Sequence, residues 1–131
     1  MIYLLDTHAF LWWLADSPKL GRKARAALAD RNSSVLVSAA SIWEMAIKSS
    51  LGKLRMRKMD AHKLAELPKR CGFGELPISA AHAATVNDLA FHHHDPFDRM
   101  LVAQALVDNL VIVTADDTLG KYAPRTLDAG A

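Results

Sequence analysis

Four acidic residues far apart in the chain, Asp6, Glu44, Asp98 and Asp116, each interrupt or end an otherwise apolar stretch. Asp6 closes the run Ile2-Tyr3-Leu4-Leu5, and Glu44 sits inside Ala39-Ala40-Ser41-Ile42-Trp43-Glu44-Met45-Ala46-Ile47. Asp98 precedes Met100-Leu101-Val102-Ala103, and Asp116 follows Leu110-Val111-Ile112-Val113-Thr114-Ala115. A carboxylate is costly in such surroundings unless it is paired or binds a metal. Two carboxylates about 5 Å apart repel by roughly 3 kcal/mol at an effective dielectric of about 20, so four brought together require protons or cations. Oxygen donors without a consistent thiol or imidazole set select a hard ion, Mg²⁺ or Mn²⁺. Such a site suits hydrolysis of a phosphodiester, where one ion acidifies an attacking water and another steadies the leaving oxygen.

The elements needed to gather these residues are legible. Residues 2–5 read as a short buried strand that hands directly to a helix over 7–15, with Asp6 or Thr7 as its cap. A surface helix is expected over 19–31, a strand at 35–37, and a helix from Ser38 or Ser41 to Leu51 before Gly52. A helix from Asp60 to about Glu66 is limited by Pro68 and Gly72, and a weak strand follows at 75–78. Ser79 caps a helix over 80–90, and Pro96 opens one running to Asn109. Residues 110–114 are the clearest strand, 116–122 a short helix and 125–127 an edge strand. Short apolar strands alternating with helices predict an α/β fold, a three-layer α/β/α sandwich with a mainly parallel central sheet. In such a sheet, strand carboxyl ends and the following helix N-termini share one rim, where ligands bind. All four acids fall on it: Asp6 and Asp116 leave strand ends, while Glu44 and Asp98 lie in the first two turns of helices.

Each acid taken singly also has a bland reading. Ser41-Ile42-Trp43-Glu44 matches a capping box, Asp95 could cap its helix with Asp98 in the first turn, and Asp6 and Asp116 could be N-caps. Capping does not explain why such acids recur at the carboxyl ends of separate apolar strands. Asp6 and Asp98 are expected as central metal ligands, Glu44 as a ligand or a positioner of water, and Asp116 as completing the ring directly or through water. His92-His93-His94 with Asp95 invites a transition-metal reading, but consecutive histidines cannot all face one ion and no second cluster supplies ligands, so a solvated loop is expected. Trp12, Trp13 and Trp43 could stack on unpaired bases. Trp12 and Trp13, however, stand amid Phe10, Leu11 and Leu14, which predicts core packing or a subunit interface, and hence a dimer.

The 131 residues suit one domain, 1–131, and the 51% hydrophobic and 23% charged shares exclude disorder. A single cysteine, Cys71, excludes an intrachain disulfide. With neither a basic leader nor an apolar run of about 20 residues, a cytoplasmic protein is expected. Residues 48–70 carry eight basic side chains against two acidic ones, a net +6 in a chain of net +2, which suits a polyanion held beside bound cations and equally suits a solvated surface.

The order of segments reaches a family. Met1-Ile2-Tyr3-Leu4-Leu5-Asp6-Thr7-His8, Ser41-Ile42-Trp43-Glu44, His94-Asp95-Pro96-Phe97-Asp98-Arg99-Met100-Leu101-Val102-Ala103-Gln104-Ala105 and Val113-Thr114-Ala115-Asp116 together resemble a PIN-domain ribonuclease of the VapC toxin type. By that resemblance Asp6, Glu44, Asp98 and Asp116 fall on the family's acidic metal positions, and Thr7 and Thr114 on positions where a hydroxyl often lies near the site. The resemblance implies a Mg²⁺- or Mn²⁺-dependent endoribonuclease acting on RNA. It also implies dimerisation and a cognate VapB-like antitoxin whose C-terminal segment blocks the acidic pocket. Asp95 and Asp117 are extra acids beside matched ones. The competing expectation is a non-catalytic RNA- or protein-binding module whose acids cap helices. A metal phosphatase is weaker, for no Asp-x-Asp follows the first strand and no Gly-rich phosphate loop is present.

Overall fold

The structure, a computed structural model, describes residues 1–52, 61–122 and 124–131. Five strands, β1 (Ile2–Leu5), β2 (Ser34–Ser38), β3 (Gly74–Leu76), β4 (Val111–Thr114) and β5 (Arg125–Asp128), form one sheet in the order β3-β2-β1-β4-β5. All four pairings are parallel, with Leu5 opposite Val37 on one side and Val113 on the other. Among the described residues six α-helices accompany them: α1 (Thr7–Leu14), α2 (Arg22–Ala29), α3 (Ala39–Ser50), α4 (Ala61–Arg70), α5 (Ala80–Thr85) and α6 (Pro96–Asp108).

The strands are apolar without alternation because both faces of the sheet are covered. On one face Tyr3, Leu5, Val35, Val37, Val111 and Val113 pack with Phe10 of α1, Leu28 of α2, Met45 of α3 and Leu64 of α4. On the other, Leu4 and Ile112 pack with Leu101, Val102 and Ala105 of α6 and with Leu119 and Tyr122. Neighbouring residues of one strand thus serve different layers, and the three-layer α/β/α architecture follows.

One local alternative is resolved and two expectations are corrected. Ser38, not Ser41, caps α3, its hydroxyl accepting the Ala40 N–H at 3.0 Å. Pro68 does not stop α4, which continues to Arg70; so near the C-terminus its missing N–H costs one hydrogen bond, and the chain leaves the helix at once through Gly72 at φ +78°. The helix starting at Ala80 ends at Thr85 rather than Ala90, giving way to a 3-10 turn over Val86–Asp88 in which the Val86 carbonyl accepts both the Leu89 N–H at 3.3 Å and the Arg99 guanidinium at 3.1 Å. The expected helix start at Asp60 and much of the basic segment fall in residues 53–60, outside the described residues.

β1 sits at the centre, with chain connections leading from it to β2 on one side while β4 lies on the other. The carboxyl ends of β1 and β4 therefore flank the point where the strand order reverses, which is where parallel sheets open a crevice.

Candidate functional site

Asp6 follows β1 into that crevice. It is buried and caps α1, Oδ1 accepting the Ala9 N–H at 2.7 Å. Burial raises its pKa above the usual carboxylate value, and the charge of Asp116 adds to the rise, against hydrogen bonds from the Thr114 hydroxyl and Ala9 N–H. Asp116 leaves β4, with Oδ1 accepting the Thr118 N–H at 2.9 Å at the start of a 3-10 helix. Burial pushes its pKa up, but the N–H and hydroxyl of Thr118 together with His93 outweigh that and hold it below the ordinary value.

Asp98 lies in the first turn of α6, where Asp95 is the cap, accepting the N–H groups of Phe97 and Asp98 itself. Asp98 therefore caps nothing. Its carboxyl is pushed up to about 7, by burial first and then by the charges of Asp95, Asp6 and Glu44, with His93 opposing. Glu44, in the second turn of α3, is 5% exposed and has both oxygens engaged. Thr7 Oγ1 donates to Oε1 at 2.7 Å, and Lys48 Nζ lies 2.7 Å from Oε2. The Thr7 hydroxyl has one hydrogen, so Ser41 supplies the hydrogen of the 3.0 Å contact between them. The capping-box reading of Ser41 and Glu44 is thereby replaced by a tertiary network joining α1 to α3.

The structure brings Asp98 and Asp116 into one cluster with a residue expected to be solvated, His93. Its Nε2 lies 2.9 Å from Asp116 Oδ2 and 3.3 Å from Asp98 Oδ2, and its Nδ1 accepts the Asp95 N–H at 3.0 Å. His92 and His94 turn elsewhere, His92 edge-on to Tyr122 and His94 stacked on Phe91. Arg99 pins this loop: its guanidinium donates to the carbonyls of Ala90, Val86 and Leu89 and lies 4.5 Å over the Phe91 ring. Although it is buried, it forms no ion pair with a carboxylate among the described residues, its donors going to carbonyls and the Tyr122 hydroxyl. A cleft of about 710 Å³ opens here, its walls including Asp6, His8, Lys19 and Asp116.

Asp6 and Glu44 are thus near enough to Asp98 to raise its pKa, while Glu44 is occupied by its own partners. Asp6, Asp95 and Asp116 do cap backbone N–H groups, as the bland reading expects. Each cap takes one oxygen through Asp6 Oδ1, Asp95 Oδ1 or Asp116 Oδ1. Asp117 is exposed, Trp12 and Trp13 are half-buried on the core, and Trp43 is 59% exposed with its ring edge-on to Phe97.

The PIN domain family profile matches residues 3–124. The chain belongs to the PIN domain family. The PIN match covers the strands and helices that carry all four acids. Ribonuclease VapC16 of Mycobacterium tuberculosis is 40% identical over 62 residues, which are 47% of this chain and 44% of that protein, so the chain spans less than half the length of this relative. The PIN fold recurs in VapBC2 from Rickettsia felis bound to a promoter DNA fragment, with TM-score 0.72, 16% identity and 98% of each chain covered. It recurs also in VapBC-1 from nontypeable Haemophilus influenzae, with TM-score 0.72, 18% identity and 100% of each chain. FitAcB from Neisseria gonorrhoeae gives TM-score 0.65 at 22% identity over 98% of each.

Proposed function

We propose that this PIN domain is a metal-dependent endoribonuclease and the toxin of a VapBC-type pair, working in the cytoplasm. The observation that carries the chemistry is Asp98, a carboxyl that caps no helix and is pushed up to about 7 by burial first and then by the charges of Asp95, Asp6 and Glu44. A carboxylate kept in that position is explained by a cation bound in use. The donor set fits Mg²⁺ or Mn²⁺: Asp98 and Asp116 offer Oδ2 atoms on one cluster, and Asp6 faces Asp116 closely enough to feel its charge. Asp6, Asp98 and Asp116 would hold the ion. Glu44, braced by Thr7 and Lys48, orients water from the α3 side. The chemistry a bound divalent ion supplies is a more acidic water and neutralisation of charge on the phosphodiester.

The chain's own residues do the rest. The caps at Asp6, Asp95 and Asp116 fix the backbone so that the carboxylates need little rearrangement, which is how a site becomes preorganised. Among the described residues no helix is long and apolar enough to cross a membrane. A VapB-like antitoxin and a homodimer are the proposed partners, supported by the VapBC and FitAcB assemblies that share the fold and by the exposed Trp43, Ile78 and Phe91.

Incubating the protein with total RNA and Mn²⁺, beside the same mixture with EDTA and beside Asp6→Asn, tests the reading. Cleavage confined to the parent with Mn²⁺ is expected. Equal cutting by the folded Asp6→Asn variant would place the active site elsewhere, and no cutting by any sample would favour the binding-module reading.

A further inference from the structure

His93 occupies the middle of the acidic cluster without being one of its carboxylates. Its Nδ1 accepts the Asp95 backbone N–H at 3.0 Å. A ring nitrogen that accepts a hydrogen bond carries no hydrogen, so the proton of the neutral imidazole is assigned to Nε2. Nε2 is then a donor, hydrogen-bonded to Asp116 Oδ2 at 2.9 Å, with Asp98 Oδ2 lying 3.3 Å away. A nitrogen bearing a hydrogen has no lone pair to give a metal ion, so in this arrangement His93 is not a ligand. The three atoms lie within 4.8 Å of one another, and the N–H fills the gap between two carboxylates where an ion would be held.

The backbone beneath the ring is fixed from several sides. The His93 N–H donates to the Tyr122 hydroxyl at 2.7 Å, its carbonyl accepts from Arg99 at 3.4 Å, and Arg99 also grips the carbonyls of Val86, Leu89 and Ala90. Movement of the ring therefore falls to its side-chain torsions.

We infer that His93 is a gate: its Nε2–H engages Asp116 Oδ2 and the ring stands against Asp98 Oδ2, which closes the cation position, and cation binding requires the ring to withdraw. This rests on the metal site proposed above. Ring and ion compete for the same oxygens, so whatever the N–H contacts contribute to the metal-free fold is subtracted from ion affinity.

His93→Asn keeps a side-chain acceptor near the Nδ1 position and removes the donor, whereas His93→Gln places an amide N–H near the lost Nε2–H. Calorimetric titration with Mn²⁺ should show His93→Asn binding about tenfold tighter than the parent, the scale of one hydrogen bond to a charged group, and melting at a lower temperature without metal. His93→Gln should stay near the parent in both. Nitrogen NMR of the parent should show the Nε2-protonated ring in metal-free protein and a changed signal when Mg²⁺ is added. Weaker or unchanged Mn²⁺ binding by His93→Asn, with Asp98→Asn still abolishing it, overturns the gate alone. Mn²⁺ binding by Asp98→Asn equal to the parent's overturns the metal site and the gate with it. If His93→Asn does not fold, His93→Ser carries the same expectation and the NMR result decides independently.

Discussion

Lys48 Nζ lies 2.7 Å from Glu44 Oε2, one turn along α3, and Glu44 is the more buried partner, its side chain 6% exposed against 39% for Lys48. With Thr7 on Oε1, the lysine completes the satisfaction of a carboxylate that the fold places inside an apolar helix face. Removing one partner of such a pair is worse than never having built it, because the remaining charge stays desolvated.

Lys48→Met is therefore expected to destabilise the protein by about 1–2 kcal/mol, the partial exposure of Lys48 keeping the loss below that of a fully buried pair. Glu44→Gln with Lys48→Met should lose less than the two single losses added together. Urea unfolding of the four proteins measures this, and additive losses would show that the contact contributes nothing.

Asp98 gives the metal-free protein a pH dependence of known sign. Its folded pKa of about 7 lies above the starting value of 3.8, so the folded state holds the proton more tightly than the unfolded chain. Stability from this group is complete at low pH, falls as pH rises from about 4 to 7, and stays at its lower level above that. Asp6 is shifted in the same direction, whereas Asp116, shifted downward, has its stabilising effect in place across this window. Melting in EDTA should show a drop worth roughly 2 kcal/mol between pH 5 and about 8, smaller in Asp98→Asn and smaller in the parent with Mn²⁺. Parallel curves for parent and Asp98→Asn would contradict the assigned shift.

Arg99 is an architectural residue despite its acidic neighbours. Its guanidinium reaches the carbonyls of Val86, Leu89 and Ala90, which lead into the loop, and that of His93 itself. Lysine keeps the charge but not the fork, so Arg99→Lys should cost about 2 kcal/mol in unfolding free energy and lower RNA cleavage by loosening the loop. Full stability with unchanged cleavage would remove Arg99 from the account.

The parts of this molecule most legible in sequence are those fixed by burial on two faces. Ile2–Leu5 and Val111–Thr114 are continuous apolar runs because they are the central strands, and the acids that end them could be placed on one rim from that fact alone. Pro96 marked the start of α6, and with it the position of Asp98. Ser41 was misleading because Ser38 and Ser41 are both competent caps, and the choice is made by where β2 stops pairing with β3. His93 was hidden for a related reason. Three adjacent histidines look alike, and the one that turns inward is selected by Arg99 and Tyr122, residues that reach the loop only in the folded chain. Of the four acids, Glu44 departs most from its expected part, since its oxygens meet Thr7 and Lys48.

The position of a bound ion can be read by anomalous diffraction from crystals soaked in Mn²⁺. A peak is expected about 2.1 to 2.3 Å from the carboxylate oxygens of Asp98 and Asp116, close to Asp6, with the His93 ring swung away from both. A saturated crystal with no peak among these carboxylates, and with His93 still lying between Asp98 and Asp116, would contradict it.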